Sequence, residues 1–233
     1  MRSLKRRGFG HVEAVLTLVI FIGVIASAFI FFNPFRANRT LSSTLDYAWR
    51  EINRYSEEAV DSYSVVLKPT SPQFVALKIP GAPEKNASVL NSSGNPISYF
   101  NNDAGINFIK PRDNFVVIQY SNNFSNGNPS VVGTIISEND FSISSSDSVE
   151  LLFENKLLNL NYTYYSDYIG LKKQFNLPNR VDFGFLVQFS DGSEISALNN
   201  ISSKIEIESK IDKLLIVRNS GKREYAEVIV QVW

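Results

Sequence analysis

MRSLKRRGFGHVEAVLTLVIFIGVIASAFIFF, residues 1–32, decides how the rest of the chain is read. Arg2, Lys5, Arg6 and Arg7 form a basic head. Gly8-Phe9 and Glu13 follow, and then nineteen uncharged, mostly apolar residues run from Ala14 to Phe32. As a helix this run spans about 28 Å, close to the thickness of a bilayer's hydrocarbon core. It can serve as an uncut signal anchor. Only Arg36 and Arg39 closely follow the run, so the charge asymmetry keeps the N-terminus in the cytoplasm and sends residues 33–233 outside. It can also serve as a secretory signal peptide, cut at the A-x-A triplet Ala26-Ser27-Ala28. That cut would leave Phe29-Ile30-Phe31-Phe32 as a greasy new N-terminus.

A third reading turns on Glu13. A carboxylate beside an apolar helix is costly to bury and calls for a partner. Arg6-Arg7-Gly8, then Phe9, then Glu13 and an apolar run, resembles the leader of type IV pilins and pilin-like proteins. The resemblance covers about 25 residues; Gly10 and His11 depart from the more apolar pattern usual there, and Gly10 offers a second cut that would put Glu13 third. It implies that a prepilin-type peptidase cuts after Gly8, so that Phe9 becomes the first residue and Glu13 the fifth. It further implies that the Glu13 carboxylate pairs with the Phe9 amine of a neighbouring subunit, two charges neutralised only when subunits stack in register.

The roughly 200 residues beyond this region suffice for one well-cored domain. Lys+Arg and Asp+Glu are 23 each, so no charge excess points to nucleic acid or to a basic partner. Cysteine is absent, which argues against a disulfide-stapled secreted class and fits a prokaryotic cell surface. Six Asn-x-Ser/Thr sequons, at Asn38, Asn86, Asn91, Asn123, Asn161 and Asn200, are candidate glycosylation sites.

After Asn33-Pro34, Leu41, Leu45, Trp49, Ile52, Tyr55 and Val60 recur at helical spacing, with charged residues off the stripe. An amphipathic helix is predicted over 33–62. From Tyr63 the period becomes two. Strands are predicted over 63–68, 74–79, 97–100, 106–109, 115–120 and 131–136, with a loop over 81–95 and a polar excursion over 137–148. A hairpin is predicted from 149–153 and 157–165, then a short helix capped by Ser166. Val181 to Phe189 alternates cleanly. Strands over 205–208, 214–218 and 225–233 close the set, with turns at Asp191-Gly192 and Asn219–Lys222.

The chemistry of a nucleophilic or metal site is hard to assemble here. His11 is the only histidine, so the residues beyond it have no Ser-His-Asp triad, no cysteine nucleophile and no His/Cys zinc site. Glu57-Glu58 reads as a solvated helix face. Asn101–Gly105 has the outline of a calcium loop without its full ligand set and reads as a turn. Asp191–Glu194 reads as a hairpin tip, and Tyr162, Tyr164, Tyr165 and Tyr168 as core and strand surface.

The fold class expected is α+β: a long N-terminal helix, hydrophobic then amphipathic, followed by a mainly antiparallel β head, sheet or sandwich. The domains are a basic leader (1–8), a transmembrane or assembly helix (9–32), an amphipathic helix (33–62) and an extracytoplasmic β-rich head (63–233). The location expected is membrane or cell surface, with the N-terminus cytoplasmic. The function expected is that of a major or minor pilin-like subunit of a cell-surface filament or a related secretion or adhesion assembly. Its partners would be the membrane, like subunits and the peptidase, with no nucleic acid, no cofactor and no enzymatic activity. The alternative is a non-polymerising, membrane-anchored extracytoplasmic binding domain.

Overall fold

The computed structural model describes residues 7–31, 34–199 and 205–233, with side-chain surroundings over 12–28 and from 41 onward apart from 200–204. It divides into two compact units, Met1–Ser43 and Thr44–Trp233.

The first unit holds helix α1, Arg7–Phe31, and the start of α2, Pro34–Ser56. Proline at the head of α2 costs nothing, because the first turn of a helix has no use for its missing N–H. In the second unit α2 buries Leu45, Trp49 and Ile52 of the apolar stripe, with Ala48 beside them. Asp46, off the stripe, pairs with Lys210 at 2.8 Å.

Strands β1 (Glu57–Leu67), β3 (Ala87–Asn91), β6 (Phe115–Tyr120), β8 (Phe141–Phe153), β9 (Phe183–Gln188), β10 (Glu194–Ala197), β11 (Glu208–Val217) and β12 (Arg223–Val232) form an eight-stranded sheet. Its order is β10, β9, β12, β11, β8, β1, β6, β3. Every pairing is antiparallel except β8–β11, which is parallel and confined to Leu152–Phe153 against Ile216–Val217. Strands β2 (Phe74–Leu77), β4 (Tyr99–Asn102), β5 (Gly105–Ile109) and β7 (Thr134–Ile135) form a second sheet in the order β4, β5, β2, β7. Val65, Val75, Leu77, Val89, Phe108 and Ile118, drawn from both sheets, share one core. Helices α3 (Glu154–Ser166) and α4 (Tyr168–Gln174) follow β8.

The expected architecture needs correction. Among the described residues there are four α-helices and two sheets, mainly antiparallel with one short parallel pairing in each, and no single long N-terminal helix followed by a head. Helix α2 stops at Ser56 because the next eleven residues serve the sheet better: β1 pairs with β6 on one side and β8 on the other. The predicted 157–165 strand is helix α3. Leu157, Leu160 and Tyr164, at helical spacing, are its buried residues. The loop over 81–95 contains β3, and the serine-rich excursion over 137–148 is largely the first part of β8.

The expected transmembrane helix, and with it a membrane or cell-surface location with a cytoplasmic N-terminus and an extracytoplasmic head, is corrected too. Among the described residues no helix is long and apolar enough to cross a membrane. The part of α1 with described side chains, Val12–Ala28, has 17 residues.

Candidate functional site

Of the residues assigned to processing and assembly, Arg6 lies outside the described residues. Arg7, Gly8 and Phe9 belong to the backbone of α1, their side chains outside the described set. Glu13 is exposed; its carbonyl accepts from the Thr17 hydroxyl at 2.8 Å. Around it, ten large apolar side chains from Val12 to Ile25 stand 39–67 % exposed. Leu18 to Ile22 are five in succession, and at 100° per residue they point to every side of the helix.

The sequons differ in what the fold leaves free. Asn38 and Asn200 have no described side chain. The Asn86 amide donates to the Phe124 carbonyl at 2.7 Å, and Ser88, the third residue of that sequon, is fully buried. The Asn123 amide donates to the Glu58 carboxylate. Asn161 sits on α3 with its carbonyl oxygen buried and unpartnered. Asn91 accepts from the amides of Ser93 and Asn95, both at 3.0 Å, through Oδ1 alone. Among the described sequons it is the one with a turn conformation and an unspent Nδ2.

The acidic candidates are structural. Glu57 and Glu58 lie on β1 rather than on a helix. Glu58 accepts from Ser121 Oγ (3.1 Å), the Asn122 amide (3.2 Å) and Asn123, and pairs with Lys156 at 3.1 Å. Burial opposes its ionisation, but Lys156, Ser121 and Asn122 together outweigh that and hold the carboxyl below the usual range. Glu57 is pushed up, by burial first and then by the charge of Glu150. Asn101–Gly105 forms the β4–β5 turn. Its Asn102 Oδ1 accepts from the Ala104 amide and from Asn107, each at 3.0 Å, so that oxygen is spent within the turn. Among the described residues no three His, Cys, Asp or Glu side chains gather to hold a metal ion. At the hairpin tip, Asp191 binds the Ser193 amide at 2.9 Å, and Arg218 reaches Asp191, Glu154 and Glu224 while lying over the Phe189 ring.

Sequence reasoning missed a cluster around Asp182. Tyr168 Oη donates to Asp182 Oδ1 at 3.0 Å, and Lys172 Nζ reaches the same oxygen at 2.8 Å. Lys172 Nζ also donates to the Asn179 carbonyl and lies over the Tyr168 ring. Burial pushes the Tyr164 and Tyr168 phenols well above their ordinary range. The cluster closes α3 and α4 onto β9: Tyr164 of α3 donates to the Phe183 carbonyl at 2.8 Å, and Tyr168 Oη of α4 accepts from the Phe183 amide at 3.1 Å. Residues 164, 168 and 172 are four apart, as on a helix face, but no spacing rule joins them to Asp182 across the turn that follows. Of the four tyrosines grouped in the sequence, Tyr164 is buried, Tyr168 is tied to Asp182, and Tyr162 and Tyr165 are exposed. Comparison of the chain with protein-family models, curated proteins and solved structures finds no match.

Proposed function

We propose that this chain is a structural subunit of a pilin-like filament or related assembly, joined to like subunits through α1. The observation that carries the reading is the exposure of large apolar side chains on every side of the described part of α1. Patches of that extent normally mark an interaction surface. Each such side chain gains roughly 1.5–3 kcal/mol on full burial, so association of several helices offsets the entropy of ordering subunits.

Glu13 supplies register. A carboxylate inside an apolar helix bundle is unfavourable unless an opposite charge meets it. In the pilin-like scheme that charge is the amine freed at Phe9 of a neighbour after cleavage following Gly8, and a misregistered neighbour leaves both charges unpaired.

The test is N-terminal sequencing of protein recovered from its native source, with electron microscopy of wild type and Glu13→Gln. A chain starting at Phe9, filaments from wild type and none from Glu13→Gln are expected. A chain beginning at Met1 that stays monomeric overturns the proposal.

A further inference from the structure

A groove in the second unit carries an inference separate from assembly. Its walls are the β2–β3 connection, the β4–β5 turn and the chain after β7, around a cavity of about 830 Å3. A second depression of about 360 Å3 shares Glu84, Lys85, Asn101 and Asn102 with it, and adds Asn86, Asn122 and Asn126. The larger volume lies within the range of small-ligand sites.

The walls are fixed. Gly105 has φ +112°, and a Cβ there would fall 2.3 Å from the Leu77 carbonyl oxygen, so only glycine lets the turn lie this close to β2. Asn101 Nδ2 donates to the Ala87 carbonyl at 2.9 Å. Wall backbone groups are already spent: the Ala82 amide on Ile79, Lys85 on Pro83, Asn101 on Asn126 and Ile136 on Ala76. Little main chain remains to pair with an added strand, which disfavours an extended peptide.

What remains unspent is side-chain amide and carboxylate. The side-chain amides of Asn122 and Asn126, Nδ2 of Asn102, and the carboxylates of Glu84 and Asp103 make no hydrogen bond or ion pair among the described residues. These planar groups offer paired donors and acceptors suited to vicinal hydroxyls. Pro80, Pro83 and Ile106 supply apolar wall against which C–H faces can lie. Tyr120, 8 % exposed, adds a hydroxyl with no described partner. Three carboxylates (Glu84, Asp103, Glu138) face two lysines, and Lys85 is already held 3.1 Å from Asp61. That balance repels a polyanion. We propose that this groove binds a neutral oligosaccharide.

The test uses the full chain and saturation-transfer NMR with chitotriose, cellotriose and maltotriose, beside sialyllactose and a sulfated disaccharide. Saturable binding of at least one neutral trisaccharide is expected. Asn122→Ala, Asn126→Ala and Glu84→Ala each weaken it by about three- to tenfold, the loss of one or two hydrogen bonds. All three side chains are exposed and unengaged, so the melting temperature stays at the wild-type value. Failure of every neutral probe, preference for the charged ones, or binding indifferent to all three substitutions overturns the proposal.

Discussion

Glu58 and Glu57 are neighbours on β1 with opposite electrostatic histories. The folded state favours the charged form of Glu58. Its contribution is therefore complete above the ordinary carboxyl value near 4.5 and is lost as pH falls through its lower folded value. Glu57 runs the other way. Its folded value is raised, so the stability it contributes is present below the ordinary value and lost as pH rises through the raised one. Glu58→Gln is expected to cost roughly 1–3 kcal/mol at pH 7, because it leaves Lys156 and buried donors short of a charged acceptor. Below pH 4 the cost should shrink. Glu57→Gln should raise the melting temperature at pH 7 by a degree or two and leave it unchanged at pH 3. Thermal melts at both pH values check the pair, and a Glu57→Gln variant that is less stable at pH 7 defeats the account. None of this was legible from the dipeptide. The sequence shows two adjacent acids, which a helix would splay apart. The partners that separate their roles, Ser121 and Asn123, lie 63 and 65 positions away.

At the scale of elements, the β11–β12 hairpin is locked over a polar row in the large sheet. Register places Asp147, Ser62, Gln119 and Ser88 side by side across β8, β1, β6 and β3. Arg223 donates to Ser62 Oγ at 2.7 Å and to Gln119 Oε1 at 3.3 Å, while burial lowers the pKa of its guanidinium and the charge of Asp147 opposes that. Gly221, in the turn, has φ +87°, and a Cβ there would meet Ser88 Oγ at 2.1 Å. Gly221→Ala is expected to destabilise by about 1–3 kcal/mol, from a strained φ plus the clash. Adding Ser88→Ala should return the clash part and leave the φ part. A double variant no more stable than Gly221→Ala alone would refute the contact. Arg223→Ala should cost about 1–3 kcal/mol, and combining it with Gln119→Ala should cost less than the sum, since both remove one interaction. The hairpin itself was legible: Asn219–Lys222 is turn chemistry, and Val228, Val230 and Val232 share a buried face. The polar row was not, because a serine or glutamine on a strand looks the same whether it meets water or an arginine from another strand. Helix α3 was misread for a related reason. Leu158, Leu160, Tyr162 and Tyr164 alternate as in a strand, while Leu157, Leu160 and Tyr164 also fit a helix. Contacts such as Tyr164 on Phe183 belong to the second pattern.

For the whole molecule, the two units answer to different requirements. Thr44–Trp233 has its own core, with Ile52 of α2, Phe108, Ile118 and Phe183 all buried. The apolar residues of α1 have no such cover among the described residues. The apolar run was plain in the sequence, but what covers it was not. A helix apolar on all sides is written alike whether lipid or other helices surround it. Assembly through α1 therefore separates association from folding. Phe21→Glu puts a charge, unpaired in any helix bundle, on a side chain that is exposed in the single chain. It should abolish self-association in sedimentation and leave the cooperative melt of Thr44–Trp233 within a degree of wild type. A chain starting at Thr44 should likewise be monomeric and melt at the wild-type temperature, since the buried stripe of α2 from Leu45 stays with it. If Phe21→Glu lowered the melting temperature as well, α1 would be part of the folding unit. If both variants associated as wild type does, the contacts between subunits would have to lie on the β-rich unit, and α1 would have lost its role in assembly.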